Sequence, residues 1–200
     1  MKNLLLATII TSFMLPIISC KKGSDDPFIS LRSRNQRLIG KWNIVESNST
    51  RERTFAYPGT NDTAITNRTF KNNVGNIVFL MNGQISNPTA YEGSASIEFK
   101  ADGTISYTEK HNASVDIIDL TLDGYWVWRQ TAKSKYTLEI TDEQGIGLGT
   151  IFGGGVFNLQ RLSNNDITLE SSSTTTSSNP TTGETNKTKL SALCKLERKK

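Results

Sequence analysis

The chain has one histidine, two cysteines and, past its first twenty residues, no long apolar run. Each scarcity removes a class of function. Cysteines at positions 20 and 194 alone build neither a disulfide framework nor a cysteine-rich metal site. His111 has no second candidate ligand and no serine or cysteine nucleophile in a recognisable context, so neither a zinc centre nor a triad is expected. Its place just after the alternating stretch 104–110 suits a surface loop. No segment of the body keeps 3.6-residue apolar spacing for three turns, which argues against a helical fold. The best helical candidate, "NASVDIIDLTLDG" (112–124), reads equally as loop and strand. "GIGLGTIFGGG" (145–155) is rich in glycine but is followed by a strand pattern and holds no lysine. It lacks the context of a phosphate loop, and reads as bends at a sheet rim or as a lid over a cavity mouth. No cofactor or metal is called for.

Charge excludes another class. The formal net charge is +4, but residues 187–200 hold six basic side chains against Glu197 alone. The remainder is slightly acidic, so no nucleic-acid-binding face is expected. The basic end reads as a solvated tail. Asp116, Asp119, Asp123, Asp142 and Glu143 supply carboxylates, yet nothing pairs any two of them as a glycosidase requires.

What is present begins at the N-terminus. One lysine precedes a run from Leu4 to Ile18 that is shorter than the roughly 20 apolar residues of a membrane span, so residues 1–19 read as a signal peptide. The run ends Ile17-Ile18-Ser19-Cys20, which resembles the lipobox of bacterial lipoproteins. That resemblance implies acylation (palmitate or a similar chain) on Cys20, which becomes the first mature residue. Several acyl chains hold a soluble domain firmly where one chain does so only marginally. Lys21 follows the cysteine rather than an aspartate, so the outer membrane is expected, on its periplasmic face or at the cell surface. Residues 20–36 are polar and read as a tether, helical near Ser30 to Arg37.

From there the apolar period is two. Strand-like segments occupy 38–47, 75–81, 94–100, 104–110, 124–130, 135–141, 155–162, 166–171 and 188–199. Ala95, Ile97 and Phe99 share one face, opposite Ser96 and Glu98, as a sheet with one wet side needs. Asp102-Gly103 between two alternating runs is a hairpin signal. Residues 48–73 and the low-complexity "SSSTTTSSNPTTGETN" (171–186) read as long loops, the latter mobile. The expected fold is all-β: one domain over 37–200, an antiparallel up-and-down barrel of about eight to nine strands, with a β-sandwich as the alternative. Cys194 falls on an apolar face at period two and reads as a buried small hydrophobe.

Gly40-Lys41-Trp42 at the start of the first strand, with "FKADGT", "GYWVW" and a basic last strand, resembles lipocalin-like domains of bacterial lipoproteins. The resemblance implies that Trp42 plugs the closed end of the barrel, its ring covered by a basic residue of the last strand, Arg198 or else Lys195. Trp126 and Trp128 share one strand face and Tyr125 and Val127 the other. One aromatic set belongs to the core; the other either serves core filling alone or lines a cavity or a carbohydrate-stacking platform.

The expected function is therefore non-enzymatic. A lipid-anchored barrel, attached to the membrane through Cys20, binds a small hydrophobic ligand or serves as an envelope accessory module. Trp42, Tyr107, Trp126, Trp128, Tyr136 and Phe157 are the candidate ligand-binding or core residues. The rival reading is a protein- or glycan-binding subunit of a surface complex; an envelope hydrolase is disfavoured.

Overall fold

The computed structural model describes residues 33–57, 60–86, 88–113, 116–129, 137–143 and 155–199. A short helix, α1 (Arg34–Leu38), precedes eleven strands: β1 (Gly40–Tyr57), β2 (Thr60–Lys71), β3 (Val74–Met81), β4 (Gln84–Ile85), β5 (Thr89–Phe99), β6 (Thr104–Ala113), β7 (Asp116–Trp128), β8 (Thr137–Asp142), β9 (Gly155–Leu162), β10 (Asp166–Asn179) and β11 (Glu184–Arg198). All pairings are antiparallel, and β11 pairs back onto β1, which closes the sheet into a barrel of ten strands with β4 as an extra strand on β3. Closure sets the sandwich alternative aside and removes the exposed edges an open sheet would carry.

The barrel has two tiers. The first residues of β1 pair with the end of β5, from Gly40↔Phe99 to Asn43↔Ser96. A register shift between Ile44 and Glu46 follows, and from Glu46 onward β1 pairs with β2 instead. The turn Asn72-Asn73 sends β3 back along β2 to meet the start of β5. Eight strands thus enclose the lower tier, and β2 and β3 are inserted into the wall above it. On the far side, among the described residues, β7 pairs with β8 only over Gly124–Trp128, and β9 with β10 only as far as Glu170.

Two expected loops are strands. Residues 48–73 contain the upper half of β1 and all of β2. Residues 171–186 are not a loop but the top of a hairpin, β10 and β11 pairing from Asp166↔Glu197 to Asn179↔Glu184 around a turn at 180–183. The physical reason is one of solvent. Apolar alternation marks a strand only where one face is dry, and Ser172–Asn179 are exposed on both faces. Polar cross-strand pairs hold the tall wall instead: Glu46 with Lys195 and Lys71, Glu52 with Lys189, and Thr50 Oγ1 donating to Asn67 Oδ1 at 3.0 Å. Residues 116–128 likewise form a strand rather than a helix.

The closed end is built from both chain ends. Ser33 caps α1 in a reciprocal box with Gln36. Trp42 is fully buried and its Nε1 donates to the Leu38 carbonyl oxygen at 2.7 Å. The Arg198 guanidinium lies 4.2 Å from the centre of the Trp42 ring and donates to the carbonyl oxygens of Ile39, Arg37 and Asn164. Arg198, not Lys195, is therefore the covering residue; Lys195 binds Glu46. Gly40 is required here: its φ is +131°, and a Cβ would sit 2.5 Å from Arg198 Nη1. Around this plug pack Leu38, Phe99, Ile105, Trp126, Trp128, Leu162 and Ile167.

Trp42→Ala should lower the unfolding free energy by roughly 3–5 kcal/mol in urea denaturation, the usual cost of emptying a large core position. Cys194 is fully buried, and burial pushes its thiol pKa upward. In a Cys20→Ser chain it is the only thiol, and it should resist a disulfide reagent at pH 8 until urea unfolds the protein.

Candidate functional site

Register sorts the side chains that enter the barrel. In the lower tier most inward positions are apolar and buried, including Ile44, Ile97, Leu138, Ile140, Phe157, Leu159, Leu169 and Leu196. One level higher the chemistry changes. Tyr107, Glu109 and His111 alternate down the inward face of β6. Tyr107 donates from its hydroxyl to Glu109 Oε2 at 2.5 Å, and Glu109 Oε1 lies 3.3 Å from His111 Nε2. Glu109 is 0 % exposed and His111 is 7 % exposed. A carboxylate withdrawn from water is costly unless it is hydrogen-bonded, and the Tyr107 hydroxyl meets part of that need.

The row continues sideways. The His111 and Tyr91 rings are 4.8 Å apart, and Tyr91 stacks with Phe70 at 6.5 Å and 15°. Two glycines make room for it. A Cβ on Gly75 would lie 2.0 Å from Tyr91 Cζ, and one on Gly93 2.7 Å from His111 Cβ. Each glycine is paired directly with the ring it accommodates, Gly75↔Tyr91 and Gly93↔His111. Burial, then the negative charge of Glu109, raises the Tyr91 phenol to about 12, with Arg68 acting the other way. Arg68 Nε is buried without a hydrogen-bond partner, and neither ring nitrogen of His111 makes a hydrogen bond.

Above this row the interior opens. Inward positions Ser49, Arg51, Arg68, Ile77, Ile118, Leu120 and Leu190 are only partly buried, so the upper tier is a shallower cup, less fully packed than the floor, with Ile77 and Leu120 resting on the core below. A separate shallow groove of about 550 Å³ runs along the tall wall, lined largely by outward-facing residues such as Asn48, Thr50, Asn67, Thr69 and Ser172.

The residues singled out from the sequence divide accordingly. Trp42, Trp126, Trp128 and Phe157 belong to the apolar lower tier, and only Tyr107 reaches the polar row. Trp126 and Trp128 are 8 % and 7 % exposed, T-stacked at 6.1 Å, with their Nε1 atoms donating to Lys100 O and Asn35 Oδ1. They offer no stacking platform for a sugar. Tyr136 and Cys20 lie outside the described residues, as does the glycine-rich stretch except Gly155, which opens β9 at φ +117°. His111 corrects the expectation of a surface loop: β6 continues to Ala113 and carries it inside. The missed signal is Tyr107-x-Glu109-x-His111, whose period of two simply extends that of Ile105 and Tyr107. Among the described residues no three His, Cys, Asp or Glu side chains gather as a metal site. No protein-family profile, curated protein or solved structure matches the chain.

Tyr91 yields a pH prediction. Its folded pKa lies above the ordinary phenol value of about 10, so the neutral phenol stabilises the fold fully below pH 10. That contribution is lost as pH rises toward about 12. Absorbance at the phenolate band should show a late-titrating tyrosine that Tyr91→Phe removes, and the urea midpoint should fall less steeply with alkali in that variant.

Proposed function

We propose that this chain is a lipid-anchored protein of the bacterial outer membrane whose barrel binds a small ligand in its upper cup, without catalysing a reaction on it. The observation that carries this reading is the two-tier interior: a closed, packed floor beneath an upper tier whose inward side chains, apolar and polar, are only partly buried. A packed β-barrel needs no buried Glu–His–Tyr row and no partly exposed Ile118, Leu120 and Arg68 facing inward. The ligand expected from the sequence alone was apolar throughout. The polar row supports a ligand with an apolar body and a polar end, since pockets of this kind combine an apolar lining with a few placed polar groups. The lipid anchor rests on Ile17-Ile18-Ser19-Cys20.

A second reading, a subunit that docks on an envelope partner, draws on the outside of the barrel. Tyr125 and Val127 are 55 % and 53 % exposed on β7, and Val156 lies two strands away on β9, with Glu139 of β8 between it and Val127. Exposed apolar strips of this sort mark contact surfaces when they are contiguous.

Two measurements test the proposal. Cys20→Ser should move the protein from the membrane fraction to the soluble one; retention in the membrane would disprove the anchor. Native mass spectrometry of the full chain purified without detergent should reveal a bound small molecule that Leu120→Trp, which fills the cup, displaces. A chain that is empty and takes up no amphiphile would leave the docking reading in its place.

A further inference from the structure

The upper tier gathers three arginines that, among the described residues, make no ion pair with a carboxylate. Arg51 and Arg53 occupy alternate inward positions of β1, and Arg68 is an inward position of the adjacent β2. Their cross-strand neighbours carry no negative charge: Arg51 faces Thr66 and Leu190, Arg53 faces Ala64 and Thr188, and Arg68 faces Ser49 and Ile77. Elsewhere in the barrel wall cations meet carboxylates as a rule, as in Lys110 with Asp119, Arg129 with Glu139, Arg161 with Asp166, and Lys189 with Glu52. The carboxylates closest in sequence to the three arginines, Glu46 and Glu52, pair with lysines instead, Glu46 with Lys71 and Lys195 and Glu52 with Lys189. Asp62, an inward position near the rim, accepts from Asn82 Nδ2 at 2.8 Å. Glu109 is held lower down by Tyr107 and His111.

The three guanidinium groups also feel one another. Burial first, and then the charges of Arg53 and Arg68, lower the Arg51 pKa. Arg68 Nε is buried without an acceptor, and His111, nine-tenths buried on the same inward surface, hydrogen-bonds through neither ring nitrogen. Like charges gathered at a water-accessible concavity, with donors left over, describe a site awaiting an anion. Arginine suits that role because its planar fork presents paired donors to carboxylate or phosphate oxygens. The opposite wall is apolar. β7 stands across the ring from β1 and contributes Ile118 and Leu120, while β3 adds Ile77 and Phe79.

Building on the ligand-binding reading above, we propose that the cup takes an anionic amphiphile, its carboxylate or phosphate held by Arg51 and Arg68 with Arg53 at the rim, and its apolar body against Ile118, Leu120 and Ile77. The anionic group is the chemistry assigned; a lipid-like molecule and a small free anion are separated by the test.

Calorimetric titration of the full-length Cys20→Ser chain with decanoate, decyl phosphate, decanol and inorganic phosphate reads each part. Decanoate and decyl phosphate should bind at least about 10-fold more tightly than decanol, and their affinity should fall as sodium chloride is raised. Arg51→Gln with Arg68→Gln should weaken the two anions by about 10- to 100-fold, the range for lost charge-assisted hydrogen bonds, and leave decanol within about twofold. Decyl phosphate binding more tightly than inorganic phosphate supports a lipid-like ligand. Equal affinities would overturn the amphiphile and leave the anion site. Decanol binding as well as decanoate, or anion affinity unchanged in the double variant, would overturn the anion site while ligand binding stands. Failure of every probe would overturn ligand binding itself. Should the double variant not fold, the salt dependence and headgroup ranking of the parent chain decide the matter alone.

Discussion

The structure depends on β1 being able to hold the barrel shut. This strand pairs with β11 along nearly its whole length, with β5 at its foot and with β2 above. The change of partner from β5 to β2 occurs where the register shifts between Ile44 and Glu46, and a bulge of that kind bends a strand and alters its twist. At the foot, Trp42 fills the axis while Arg198 arrives from the other end of the chain, stacks on the indole and caps three carbonyl groups. One arginine thereby ties α1, the start of β1, the β9–β10 turn and the end of β11 into a single knot. Gly40 is the concession that geometry demands, because the guanidinium passes through the space a side chain would fill.

Above the knot, the widening of the wall changes what the interior has to do. Eight strands surround a space that aliphatic and aromatic side chains fill completely, the size at which a barrel is packed solid or just hollow. Inserting β2 and β3 widens the wall on one side while the pairing of β8 and β9 ends lower on the other, and the same alternation of side chains no longer reaches across. Inward positions then meet water and turn polar. The row Phe70, Tyr91, His111, Glu109 and Tyr107 sits at this boundary, buried by the floor below yet carrying ionisable groups. Gly75 and Gly93 belong to that boundary as well: they give up their own packing so that two rings can lie against the sheet.

The same boundary explains the contrast in charge placement. Outside the wall, lysines and carboxylates pair across strands, which contributes little to stability but keeps the surface balanced. Inside, Arg51 and Arg68 face Thr66, Leu190, Ser49 and Ile77. Such an arrangement costs stability through repulsion, and proteins keep groups of that kind where binding requires them.

The sequence by itself determined the strand character, the hairpin at Asp102-Gly103 and the buried thiol of Cys194, whereas which aromatic face of β7 is buried was decided by the tertiary structure. The first three follow from apolar alternation or from a residue whose backbone freedom admits one turn. The sequence also narrowed the residue covering Trp42 to two basic candidates on the last strand, and geometry selected Arg198. The tall wall was not legible in the same way, because Ser172–Asn179 and the upper half of β1 are wet on both faces or nearly so. A strand without a dry face has no hydrophobic period to read. Nor was the polar row legible as a site. Tyr91, Arg68 and His111 lie on three different strands, and only closure of the sheet, with two glycines placed opposite two rings, brings them to one level.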